Sequence, residues 1–205
     1  GFGGADGLAA HLRAEGVTHL VDATHPFAER ISRNAAEAAA ATGVALLVLT
    51  RPPWTPGPGD RWHIVPDNAR AIAALGAAPR RVFLTVGRLG LSDFAAAPQH
   101  HYLVRSIDDP GDLAALPRHR LLLARGPFSA EDETATMAAE GIERLVTKNS
   151  GAAASAAKLE AARRLGVEVV MIERPGRADL PRVHDIADVL AWLGLDPGAG
   201  AGGPV

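Results

Sequence analysis

Cysteine is absent from the 205 residues, which excludes disulfides, thiolate metal sites and cysteine nucleophiles and fits a reducing compartment. An excess of positive charge is also missing. The formal net charge is −2, so there is no broad basic surface and nucleic acid is not the expected partner. No apolar stretch reaches membrane-spanning length, and the N-terminus lacks the basic-then-apolar layout of a secretory signal. A soluble, cytoplasmic protein with no membrane partner is expected. The chain begins Gly1-Phe2-Gly3-Gly4 rather than with Met, and its first periodic segment is a helix with no strand before it; a missing N-terminal piece is therefore expected. Gly-x-Ser-x-Gly is absent, and the scattered histidines, with His100 and His101 diverging as neighbours on a strand, form no metal site.

What the chain does have is a repeated pattern. Six short apolar runs end in a positive charge beside Gly, Pro, Ser or Asn: Arg51, Arg88, Arg105, Arg125, Lys148 and Arg174. Any one of them alone reads as a solvated residue at a strand end. Together they read as parallel strands presenting cations at one edge, and ligands of open α/β sheets sit outside the carboxyl ends of the strands. An anionic ligand follows.

Leu8, Ala9 and Leu12 recur at helical spacing up to Gly16, and Val17 to Val21 reads as a strand. Pro26 is expected to open the next helix, an alanine-rich run that ends at Gly43. Residues 52–60, rich in proline and glycine, can hold neither ladder nor helix and read as a flexible loop. From Val82 onward strands alternate with helical segments at 129–140, 151–165 and 184–193, as in a parallel sheet built of βαβ units. The expected fold is α/β, with two Rossmann-like domains of mainly parallel sheet and flanking helices. They are expected at residues 1–80 and 81–195, followed by a flexible tail at 196–205.

Two strand-to-helix turns are the main candidate sites. Asp22, Ala23, Thr24 and His25 lie on the first, where free backbone N–H groups and the helix dipole favour an anion. The plainer reading has Thr24 as a helix cap with Asp22 supporting the turn. His25 suits proton donation near neutral pH or a place along a pocket wall. Lys148, Asn149, Ser150 and Gly151 form the second, where lysine offers a point charge to phosphate or carboxylate and the small residues allow close backbone approach. Here the plainer reading is an N-cap at Asn149 or Ser150 with a solvated lysine. It is not a Walker A loop. Arg125 precedes Ser129 and Asp132, which resemble a shortened capping box, and Gly87-Arg88 follows another strand.

Taken together, Gly3-Gly4, Asp22 to Ala28, Arg51-Pro52 with Trp54, Phe83 to Arg88, Arg125 to Phe128, Lys148 to Gly151 and Arg174-Pro175 resemble the precorrin-6A reductase family of cobalamin biosynthesis over residues 1 to about 193. The resemblance implies a cytoplasmic, NADPH-dependent enzyme that reduces a double bond of the precorrin-6A macrocycle, giving precorrin-6B, with an anionic tetrapyrrole as its partner. By their places at strand ends, Asp22, Ala23, Thr24, His25, Gly87 and Arg88 are assigned to the cofactor side. Arg51, Arg125, Lys148, Asn149, Ser150 and Gly151 are assigned on the same geometric ground to the substrate side, the inverse division being the alternative, with Lys148 and His25 as catalytic candidates. Two departures stand out: no N-terminal strand with a glycine-rich turn is present, and Ala152 replaces a second glycine. The competing reading is a non-catalytic Rossmann-like binding protein for an anionic metabolite. A nucleotide-sugar enzyme needs Tyr-x-x-x-Lys, and the single tyrosine, Tyr102, has Ser106 four residues on.

Overall fold

The computed structural model describes residues 1–111, 113–114, 116–176 and 180–195; the expected tail lies outside them. In chain order the elements are α1 (Gly4–Ala14), β1 (His19–Asp22), α2 (Glu29–Thr42), β2 (Ala45–Leu49), β3 (Trp62–Val65), α3 (Asn68–Leu75), β4 (Arg81–Thr85), β5 (His101–Ser106), β6 (His119–Leu123), α4 (Ala130–Ala139), β7 (Arg144–Lys148), α5 (Ala157–Leu165), β8 (Glu168–Ile172), β9 (Arg182–Val183) and α6 (Ile186–Trp192). All pairings between these strands are parallel. The α/β class with parallel sheets is as expected.

The division of the chain differs from the expected boundary at residue 80. One compact unit joins residues 1–52 to the segment from 175 onward, and the other is residues 53–174. β3 pairs with β8, from Trp62 beside Val169 to Val65 beside Ile172, so it belongs to the second sheet. β9 pairs with β2 in the first. A local apolar pattern marks a strand but not its partner, and both exchanged strands pair far along the chain.

In the first unit the sheet runs β1-β2-β9. The apolar stripe of α1 (Leu8, Ala9, Leu12) packs on Ala35 and Ala38 of α2, with Val17, Leu20 and Val44 alongside. Small alanines let the two helices approach closely. α2 starts at Glu29 rather than at Pro26, because residues 25–28 form a turn closed by the Ala28 amide on the His25 carbonyl at 2.8 Å.

In the second unit the order is β3-β8-β7-β4-β5-β6. Val82, Phe83 and Leu84 of central β4 are fully buried, as a strand covered on both faces requires. Phe83 joins Leu103, Met137, Leu145, Leu159, Val169 and Met171 in one core, and burying each such side chain contributes roughly 1.5–3 kcal/mol. Ser129 caps α4 by accepting from the Asp132 amide and donates to the Asp132 carboxylate at 2.7 Å, the shortened capping box of the sequence. Loop 52–60 is fastened rather than loose: Asp60 takes a two-pronged bond from Arg163 of α5, at 2.9 and 3.1 Å, and Trp54 is held as described below.

Candidate functional site

The strand order of the second unit reverses between β4 and β7, since the chain runs outward from β4 through β5 to β6 and then returns to β7. Ligands of open α/β sheets bind at this kind of switch point, outside the carboxyl ends. Thr85 lies beside Thr147 there, so Gly87-Arg88 and Lys148 to Gly151 leave neighbouring strands side by side. These are the turns expected for cofactor and for substrate respectively, and they share one edge. Gly87 has φ 77° and Gly151 φ 67°, a left-handed backbone that suits glycine. Ala152, at φ −80° and ψ 120°, has an ordinary extended backbone and needs no glycine.

Arg88 is exposed and opens a short 3₁₀ turn. Lys148 ends β7 half-buried; burial lowers its pKa and the Asp93 carboxylate opposes that shift. Arg125 follows β6 at the same edge, and its 3.9 Å approach to Asp108 is too exposed to fix it. Neither Asn149 nor Ser150 caps α5, whose N-cap is Ala156. The Asn149 amide instead accepts from the Trp54 amide at 2.7 Å and donates to the Trp54 carbonyl at 2.9 Å. The Asn149 carbonyl takes the Arg174 Nε–H at 2.8 Å. Asn149 therefore shapes the turn from behind, and Arg174 braces it.

Arg105 departs from the expected solvated edge. It forms a buried ion pair with Glu133 of α4, and its guanidinium lies 4.9 and 4.0 Å from the ring centroids of Phe83 and Phe128. Beside this pair is Lys158, which is 4 % exposed. Its Nζ donates to the Ser155 carbonyl at 2.7 Å and lies 5.0 Å from the Trp54 ring centroid. Desolvation, with a smaller push from Arg105, brings its pKa down to about 7 against the pull of Glu133.

The first unit carries its own candidate at the carboxyl ends of β1 and β2. The buried Asp22 carboxylate accepts from the Thr24 amide at 3.0 Å and the Thr24 hydroxyl at 2.6 Å. Thr24 thus serves the turn rather than capping α2, and Asp22 itself occupies one of the backbone N–H groups that an anion was expected to use. The turn borders a cavity of about 400 Å³ lined by Ala23, Thr24, Pro26, Leu49, Thr50, Arg51, His184 and Ile186. Arg51, expected among the substrate contacts, lines the same cavity as the turn. His184 Nδ1 lies 2.6 Å from the Thr50 carbonyl, which leaves Nε2 as its other polar atom. His25 is exposed, and its Nδ1 accepts from the Phe27 amide at 3.2 Å, so the neutral ring carries its proton on Nε2.

The family model described as "Precorrin-6x reductase CbiJ/CobK" matches residues 1–194. The chain belongs to this family. It is 49 % identical to the precorrin-6A reductase of Rhodobacter capsulatus over 199 residues, 97 % of this chain and 79 % of that protein. To the precorrin-6A reductase of a Sinorhizobium species it is 51 % identical over 190 residues, 93 % of this chain and 73 % of that protein. A solved structure of CobK precorrin-6A reductase superposes with a TM-score of 0.89 at 49 % identity, covering 97 % of this chain and 80 % of that one.

For a member of this reductase family, a nicotinamide cofactor has to be housed. The cavity beside Thr24 suits part of a dinucleotide: its volume lies within the usual range for small-molecule sites, Pro26, Leu49 and Ile186 give it apolar walls, and Arg51 gives it a cation. Sequence reasoning passed over His184, Lys158 and Glu133. His184 sits on a returning segment whose pairing no local pattern announces, and Lys158 has the look of a solvated helix lysine. The alternative nucleotide-sugar chemistry finds no support at Tyr102, which is buried with its hydroxyl donating 2.8 Å to the Ala97 carbonyl.

Proposed function

We propose that this protein reduces a double bond of the precorrin-6A macrocycle, giving precorrin-6B in cobalamin biosynthesis, with NADPH as its reductant. The observation that carries the reading is membership of the reductase family across nearly the whole chain, with the exposed Arg88 and the half-buried Lys148 standing at the switch-point edge of the larger sheet. When bound, the reduced nicotinamide supplies a hydride. The protein's own residues then bind, orient and deliver a proton. Arg88, Arg125 and Lys148 neutralise carboxylates of the tetrapyrrole, and the backbone of Ser150 and Gly151 admits them closely. Ala23, Thr24, Arg51 and His184 hold the dinucleotide in the cavity of the first unit, with Asp22 ordering the turn.

Reduction adds one hydride and one proton to the macrocycle. The His25 imidazolium and the Lys148 ammonium are the two groups proposed to deliver the proton, and Lys148 is assigned first to anchoring. Among the described residues no helix is long and apolar enough to cross a membrane, and the proposed location is the cytoplasm. Anaerobic incubation with NADPH and precorrin-6A tests the assignment. Loss of the reduced-nicotinamide absorbance in step with substrate supports a reductase. Binding of the macrocycle without oxidation of NADPH supports the competing reading, a carrier of an anionic metabolite.

A further inference from the structure

Lys158 is the most deeply buried amine described in the second unit, and nothing in the reduction itself uses it. A lysine ammonium is strongly hydrated, so placing it 4 % exposed costs free energy that packing alone does not repay; a methylene chain would pack equally well. Its surroundings form a linked series. Lys158 Nζ donates to the Ser155 carbonyl at 2.7 Å, the Ser155 amide and hydroxyl bond the Ala152 carbonyl at 3.1 and 3.3 Å, and the Ala152 amide reaches the Ser150 hydroxyl oxygen at 3.4 Å. The face of Trp54 that covers the amine belongs to the residue clamped by Asn149. Both routes lead to the turn Lys148 to Gly151.

We infer that Lys158 is a positioning residue for that turn: its buried ammonium, tied through Ser155 and Trp54, holds the turn in the form that accepts a carboxylate of the substrate. The inference rests on the proposed anchoring of substrate carboxylates at this turn. The charged groups facing Lys158 are Arg105 from β5 and Glu133 from α4, which largely compensate one another as an ion pair. The charge on Lys158 is therefore a net addition below the turn. Its loss on deprotonation, at about 7, weakens both its hydrogen bond to Ser155 and its attraction to an anion above.

The test is binding of uroporphyrin, an octacarboxylate macrocycle, to the whole protein and to Lys158→Met, followed by fluorescence at about pH 6 and about pH 9, either side of the amine's titration. Lys158→Met should bind about tenfold or more weakly at the lower pH, the loss expected for a charge-assisted hydrogen bond, and the gap should shrink at the higher pH as the wild-type amine becomes neutral. A gap equal at both pH values marks a packing role and overturns the inference, as does the absence of any gap or of porphyrin binding to the wild type. Lys158→Gln, which keeps a neutral donor, guards against a folding failure and should bind equally at both pH values. PH-dependent binding without NADPH-dependent turnover of precorrin-6A would sink the reductase assignment and leave the positioning role intact. Turnover with a pH-independent gap would do the reverse.

Discussion

Asn149 clamps Trp54 by its backbone, accepting from the amide at 2.7 Å and donating to the carbonyl at 2.9 Å across 95 residues of sequence. One buried side chain thereby replaces the two ladder bonds that the proline-rich loop cannot make for itself. Asn149→Ala should lower stability by about 2–3 kcal/mol, from two lost hydrogen bonds and the polar groups they leave behind. Urea unfolding measures the loss, and hydrogen exchange should show the Trp54 amide losing protection. Unchanged stability and protection would mean that the loop is held by Asp60 and Arg163 alone.

Lys158 makes stability depend on pH in a direction opposite to most lysines. Its pKa is about 7 in the folded protein and near 10.5 when exposed, so between these values the unfolded chain binds the extra proton. Stability from this group therefore rises with pH across that window, by up to about 1.4 kcal/mol per unit, and the full cost is present below it. Lys158→Met removes the cost. The variant should be more stable than wild type at neutral pH and below, with the advantage fading toward pH 10. Thermal melts of both proteins across this range check the sign, and a constant difference would place the lysine in contact with water.

Glu133 and Arg105 illustrate a buried pair whose members are costly to separate. With side chains 2 % and 9 % exposed, removing one charge strands the other, and Glu133→Gln should cost about 3–5 kcal/mol. Replacing both, as Arg105→Met with Glu133→Leu, should recover most of that loss, because the guanidinium already lies between the apolar faces of Phe83 and Phe128. A double-mutant cycle in denaturant reads the coupling. Additive losses would show that the two groups do not depend on each other.

The strands and helices were legible because their signals are local. Gly43 at the end of α2 and Ser129 with Asp132 at the start of α4 appear where the sequence puts them, whereas α5 begins at Ala157 rather than at 151, after a short 3₁₀ turn over Ala153–Ser155. What escaped was decided by distant partners. β3 and β9 look like strands in sequence, but only their pairing with β8 and β2 assigns them to a unit. Arg105 carries the same strand-then-cation signature as Arg88, yet Glu133, 28 residues on, takes it out of the edge. Asn149 and Thr24 look like caps because Asn and Thr often cap helices; their actual partners, Trp54 and Asp22, are equally ordinary for amide and hydroxyl groups. The turns at Gly87 and Lys148 were visible separately, while their adjacency is a product of the strand order.

Lys148 offers the sharpest division between holding the substrate and protonating it. Burial lowers its pKa while Asp93 opposes the shift, and bound carboxylates would raise it further, away from the range that suits an acid near neutral pH. Anchoring is the role this balance favours. Lys148→Met should then raise KM for precorrin-6A with a smaller effect on kcat. Lys148→Arg should keep part of the affinity, since guanidinium holds its charge but is far too weak an acid to donate a proton. A proton donor would behave otherwise, with kcat falling for both substitutions and KM holding. Steady-state kinetics of the three proteins separates the cases, and near-wild-type kcat/KM in Lys148→Met would remove Lys148 from the site and leave the carboxylates to Arg88 and Arg125.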